Sequence, residues 1–285
     1  MWNYRLFLFL VFFQSFSLLA CASMQAGSGV TDSFRDECPI TKNYPSLFQS
    51  DFDLSAVKQV IEARLGKLGV TVSYQGSGAA EFSNTAEDLI RLERLASIVI
   101  PSLEKYPRAW FQKVDLKKIS LVKDLHVAGQ VRKAMPDPVN STLYYSDNND
   151  LLCLAGMEER VHHEFYHFIE YRFHGDMYYK DPDWMKFSPI NFQYGAGGAA
   201  AYGIPGWQNL GHPEMSLVSA YAGFAVEEDK AEVFAWMMTE GYAARLAGWL
   251  SHDASLEDKH SFLNHFFDTA SAGLMNEAFF AQFIR

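Results

Sequence analysis

The chain has 285 residues, 49% hydrophobic and 15% aromatic, with a formal net charge of -10. That much apolar side chain supports a sizeable core and excludes an intrinsically disordered chain. The acidic balance excludes the clustered Lys and Arg with which proteins hold nucleic acid or an anionic membrane surface, and serves mainly solubility.

The chain opens MWNYRLFLFLVFFQSFSLLACAS, with one positive charge at Arg5 ahead of an apolar run from Leu6 to Leu19. Residues 1–22 therefore read as a signal peptide, too short an apolar run for a membrane span. Two cleavage readings compete. Leu18-Leu19-Ala20-Cys21 resembles a bacterial lipoprotein box, which would give a membrane tether through lipidated Cys21; Ala20-Cys21-Ala22 is an A-x-A site. The first is preferred, because a Cys directly after a small residue at the end of the run is a demanding coincidence. Either way the protein is expected to be exported, lipid-anchored in a bacterial cell envelope or free in the periplasm or medium. Two further cysteines, Cys38 and Cys153, can pair in an oxidising compartment or sit as two separate buried thiols.

Residues 23–50, rich in small and polar side chains, read as a tether and entry segment, and 51–285 as a single domain in which 51–84 could form an N-terminal subdomain. Leu54, Val57, Ile61, Leu65 and Leu68 mark a helix that stops at Gly69, followed by a strand Val70–Tyr74. Gly76-Ser77-Gly78 is a turn. Asn84 and Glu87 look like the capping pair of a second helix, whose core face is Leu89, Leu92, Leu95, Val99 and Leu103 and which Pro101 kinks or shortens. Ile119–Val127 is rich in strand formers. After a turn at Pro136 and Pro138, Thr142–Ser146 is a short edge strand, with Tyr144 a candidate cleft residue. The expected class is α+β, mainly helical, with a small mixed sheet whose edge strand lines a cleft open to an extended peptide.

Val161–Phe173, VHHEFYHFIEYRF, contains His163-Glu164-Phe165-Tyr166-His167. On a helix, residues four apart sit one above the other, so both imidazoles can reach one Zn²⁺ from successive turns. Glu164 lies too far round to be a natural ligand, yet close enough to hold and deprotonate a metal-bound water. Val161, Phe165, Phe168, Ile169 and Arg172 recur at intervals of three and four and give the helix a buried side. The plainer reading is a core helix whose histidines are satisfied by neighbours. His162, about 100° around the helix, and His126, on a strand, read as structural.

His174–Pro213 is a long irregular stretch holding Trp184, Tyr194 and Gly197. Its aromatic content argues against disorder, so it reads as a cleft wall or lid whose glycines allow close approach of backbone or substrate, or as a purely structural loop. In Tyr221–Ala235, Glu228 and Glu232 share a helix face. Glu228 is the expected third metal ligand. Glu232, one turn on, would accept the Nδ1–H of His163 or His167, or take the ligand position itself. Glu227 and Asp229 read as a solvated acidic face. The tail, Ala243–Arg285, should close the domain with helices bearing Phe262, Phe266, Phe267, Leu274, Phe279, Phe280 and Phe283.

With His163-Glu164-x-x-His167, Tyr221 seven residues before Glu228, and Ala231-Glu232-x-Phe234, the chain resembles the gluzincin metallopeptidases, in particular the lethal-factor-like group that includes the Pro-Pro endopeptidases. With Trp184 and Tyr194–Gly198 between the two metal-binding helices it is also similar to a bacterial family of zinc metallopeptidases. The resemblance covers about residues 85–250 and implies a zincin-like fold, one Zn²⁺, and Tyr221 as the donor to the oxyanion. Two functions follow. One is an exported zinc-dependent endopeptidase acting on peptides or proteins through Glu164; the other is a non-catalytic cell-surface binding lipoprotein on the same scaffold. Substrate preference and oligomeric state are not written in the sequence.

Overall fold

The computed structural model describes residues 43–48, 53–76, 78–148 and 153–284, all within the unit Ser33–Arg285. The signal-peptide and Cys21 readings, most of the tether, and Cys38 lie outside the described residues. Cys153 is disulfide-bonded, and its partner lies outside them too. Among the described residues no helix is long and apolar enough to cross a membrane.

Helix α1, Leu54–Lys67, starts where the Asp53 carboxylate accepts from the Ala56 N–H at 2.8 Å. It ends before Gly69, whose φ of 87° favours glycine. Strand β1, Thr71–Ser73, follows, and then α2, Ala86–Glu104. The cap of α2 is one residue later than Asn84 and Glu87. Thr85 Oγ1 accepts from Asp88 N as the N-cap, and the Asp88 carboxylate reaches back past it to accept from Ser83 N at 2.6 Å. Asn84 is diverted to the Leu54 N–H. The helix runs on through Pro101 to Glu104.

After a short α3, Arg108–Lys113, come β2, Lys118–Lys123, β3, His126–Val127, β4, Gln130–Val131, β5, Ala134–Asp137, and β6, Thr142–Asp147. The strand expected to reach Val127 stops at Lys123 because Asp124 turns to a φ of 53°. Ala128 and Gly129, both at positive φ, then form a two-residue hairpin turn between β3 and β4. The main sheet has the order β1-β2-β6-β5, with β5 alone antiparallel. This corrects the placing of Thr142–Ser146 at the edge: β6 is internal, and the edge is β5, in the stretch that reads as a proline turn. Proline lacks an N–H, so Pro136 is tolerated only where its nitrogen faces away from a partner, and an edge strand supplies that place.

One layer of helices covers this sheet. Helix α4, Leu154–His174, packs against α2, β5, β6 and, most extensively, α5, Val226–Met238. Helices α6, Tyr242–Leu250, α7, Ala254–Ala270, and α8, Glu277–Ala281, close the far side. The core joins Leu95 and Val99 of α2, Ile119 and Leu121 of β2, Phe165 and Phe168 of α4, Phe234 of α5 and Phe267 of α7. Each such side chain withdrawn from water contributes about 1.5–3 kcal/mol. Of the tail residues, Phe267, Phe280 and Phe283 are buried, whereas Leu274 is exposed.

Candidate metal centre and cleft

Helix α4 is 21 residues long, opened by Cys153 and closed by Gly175 in the left-handed conformation. His163 and His167 lie one turn apart and buried on its α5-facing side, where Glu228 of α5 meets them. Glu228 Oε2 is 3.0 Å from His163 Nε2 and 3.4 Å from His167 Nε2, and the two nitrogens are 3.1 Å apart. A tetrahedral ion with bonds of about 2.0–2.1 Å has ligand atoms about 3.3 Å apart. The triangle therefore has the dimensions of three vertices of such a site.

The donor set fits a cation on chemical grounds as well. His163 Nδ1 lies 2.8 Å from Glu232 Oε1, and the other oxygen of Glu232 accepts from Ser219 Oγ at 2.6 Å. With Nδ1–H donated to Glu232, Nε2 presents a lone pair, and that lone pair faces the Glu228 carboxylate and the second imidazole. Lone pairs at such distances need a positive charge between them. Without a metal ion the charge is a proton: against burial and the Arg160 cation, hydrogen bonds to Glu228 and Glu232 push His163 up to about 10. Against burial, the same two histidines hold Glu228 well below the usual carboxylate range. Glu159, 3.9 Å from His163 Nδ1 and also buried, is pushed up by burial and by the charge of Glu232. Glu232 is held down, against burial, by the His163 hydrogen bond. The pair thus divides into a neutral acid and an anion, and the anion is the one that orients the ring. His167 Nδ1 has no hydrogen-bond partner among the described residues, so Glu232 serves His163 alone.

A cavity of about 950 Å³ opens over these groups, lined by His163, Glu164, His167, Tyr221 and Glu228 at its floor. Ala134, Met135 and Pro136 of β5 form one side. Ser146 N donates to Lys133 O at 2.7 Å, so by alternation Met135 and Asp137 face β6 while Ala134 and Pro136 turn their backbone polar groups to the free edge. Tyr221 opens a 3₁₀ turn just before α5, its ring 5.9 Å from that of His163. Burial and the charge of Glu228 push its phenol well above the ordinary range, so it remains a hydrogen-bond donor.

Of the expected cleft residues, Tyr194 and Gly197 line the cavity. Tyr144 and Trp184 do not. Tyr144 lies on the internal strand β6 with its ring against Gly76. Trp184 is fully buried behind the wall, where its indole N–H donates to Asp229 at 2.8 Å. His162 bonds Tyr106 at 2.7 Å and His126 bonds the Asp124 carbonyl, both away from the triangle. Two features escape the sequence: β5, and the buried state of Glu227 and Asp229. A Cβ at Gly198 would lie 2.0 Å from Glu228 Oε1 and 2.3 Å from the Tyr221 hydroxyl, so only glycine can pass here. The only signal for it is the Gly197-Gly198 pair.

No protein-family model matches the chain, and no curated protein matches it. A solved structure does. The chain is similar to the crystal structure of a "putative zinc-binding metallo-peptidase" from Bacteroides caccae, at a TM-score of 0.50 and 15% identity, covering 84% of this chain and 94% of that one. The fold is metallopeptidase-like. At that identity the likeness concerns the fold, and the chemistry rests on the residues above.

Proposed function

We propose that the protein is an exported zinc-dependent endopeptidase of the gluzincin type, close in its arrangement to the lethal-factor-like group. The reading is carried by one observation: His163, His167 and Glu228 converge at 3.0–3.4 Å on the floor of a cavity that Glu164 and Tyr221 also line. Export rests on the leader sequence.

A zinc ion held by His163, His167 and Glu228 would supply Lewis acidity toward a water and the scissile carbonyl. Glu164, on the helix turn between the two histidines, takes the proton of the attacking water and passes it to the departing amine. Tyr221 donates its O–H to the carbonyl oxygen as negative charge grows there, and the surrounding burial strengthens that bond. Glu232 fixes the ring of His163. An extended substrate can pair with the free edge of β5, where Ala134 offers a donor and an acceptor and Pro136 an acceptor alone.

The test is cleavage of a broad peptide library by the zinc-loaded protein, with products mapped by mass spectrometry before and after chelation. Cleavage that stops on chelation and returns with zinc is the expected result. A protein that holds about one zinc and cleaves nothing would instead support the binding-lipoprotein reading.

A further inference from the structure

On α5, Asp229 follows the proposed ligand Glu228 and therefore points about 100° away from it. It is fully buried. One of its oxygens, Oδ2, accepts three hydrogen bonds: from Trp184 Nε1 at 2.8 Å, from the Tyr194 hydroxyl at 2.6 Å and from Lys259 Nζ of α7 at 2.6 Å. Lys259 is fully buried too, donates also to the Ser216 carbonyl at 2.8 Å, and lies over the Trp184 ring at 5.4 Å. Asp229 is the one carboxylate in ion-pair contact with Lys259 among the described residues.

Trp184 and Tyr194 bracket residues 185–193 of the cleft wall, so one carboxylate oxygen fixes both ends of that stretch to the helix that carries Glu228. Between and beside these anchors, Met177, Met185, Phe192, Tyr194 and Val226 line the cavity. The charged residues at that end are Lys180, exposed, and Glu227, buried with Oε2 unpartnered. Phe192 and Tyr194 meet edge to face at 4.9 Å, and the Tyr194 hydroxyl is already spent on Asp229 and Ser188. Tyr178, Ser188 and the exposed Gln193 also line the cavity here, so the face left for a ligand is apolar in the main, formed by Met177, Met185, Phe192, the Tyr194 ring and Val226, with polar groups at its rim.

We propose that Asp229 is a positioning residue that holds this wall as a subsite for an apolar or aromatic side chain of a peptide substrate. The proposal rests on the peptidase reading for its substrate class. Burying an aromatic or branched side chain against such a wall favours it over a charged one by about tenfold or more. Asp229 does not touch the substrate. Its effect passes through Tyr194 and Trp184.

The experiment uses the full zinc-loaded protein carrying Glu164→Gln, which removes turnover, and measures binding of blocked hexapeptides in which each position in turn is Phe, Leu, Lys, Asp or Gly. One position should prefer Phe or Leu over Lys or Asp by about tenfold. Met185→Glu, at the cavity wall, should abolish that preference. Tyr194→Phe and Trp184→Phe, each removing one donor to Asp229, should weaken binding of the preferred peptide by about three- to tenfold while zinc content stays the same. With Glu164 intact, Tyr194→Phe should raise KM more than it lowers kcat. A preference for Lys, which Glu227 would draw, or equal binding at every position would overturn the subsite. Loss of zinc together with kcat in Tyr194→Phe would overturn the positioning role. If the binding preference holds while the protein with Glu164 intact cleaves nothing, the peptidase reading fails and the subsite stands.

Discussion

His163 is constrained at both ends of its ring, by Glu232 at Nδ1 and by Glu228 and His167 at Nε2. Its pairing with His167 is legible in the sequence because it is local: a separation of four on a helix places two side chains on one face whatever the rest of the chain does. Glu228 and Glu232 are legible for the same reason, as one helical turn on a second segment. Gly198 is legible in part: the glycine run marks a close approach, but its partners Glu228 and Tyr221 lie thirty and twenty-three residues downstream and no local pattern names them. Asp229 misleads because charged residues are rarely buried, and only the meeting of α5, α7 and the wall reveals the Lys259 that neutralises it. Gly198→Ala should displace Glu228 or Tyr221. Zinc affinity and peptide cleavage should both fall by about tenfold or more, read by competition with a chromophoric chelator. Gly248→Ala, in α6 with nothing within 4 Å of the added methyl, is the control. It should leave both unchanged and stabilise the helix by about 0.5–1 kcal/mol.

Apolar spacing makes the helices legible in the sequence, and the sheet less so. Helices α1, α2 and α4 carry their burial pattern in a 3.6-residue period, which survives errors of a residue at the ends. Strand β5 is four residues with a proline inside it, so neither length nor period separates it from a turn, and only its pairing with β6 defines it. The α2 cap shows the same limit. A polar residue caps the helix as the sequence implies, but one position later, because Asn84 has a competing partner in α1. The cap also makes a pH prediction. Against burial, hydrogen bonds from Lys123 and Ser83 lower Asp88 from 3.8 to about 2. A carboxyl whose folded value is depressed adds stability that is complete above its unfolded value and is lost as pH falls through the folded one. Asp88→Asn should therefore be less stable than the parent by about 1–2 kcal/mol at pH 7. The gap in urea midpoints should close between about pH 4 and pH 2. A gap that persists unchanged at pH 2 would show that Asp88 stabilises α2 by some means other than its charge.

Across the protein, β5 of the sheet, α4, α5 and the 174–213 wall are brought together around one cavity. Buried carboxylates gather beside the two imidazoles, and the core tolerates Glu228 and Glu232 there because both are hydrogen-bonded to His163. A bound cation adds to that balance. Zinc at a hundredfold excess over its Kd should stabilise the folded chain by about 2.7 kcal/mol, read as a rise in calorimetric Tm that chelation reverses. The same rise in a protein with both His163 and His167 replaced by Ala would place the metal elsewhere. The edge strand, the wall and the metal floor each come from a different part of the chain, which explains why the cleft as a unit was less legible than any of its ligands.

Zinc content and peptide-cleavage rate measured side by side for the parent and for Glu164→Gln test the proposal most directly. Glu164 lies in the cavity and outside the ligand triangle, so the substitution should leave about one zinc per chain in both proteins and cut the rate by at least about 10²-fold. A Glu164→Gln protein that retains its zinc and cleaves at a near-parental rate would contradict the account.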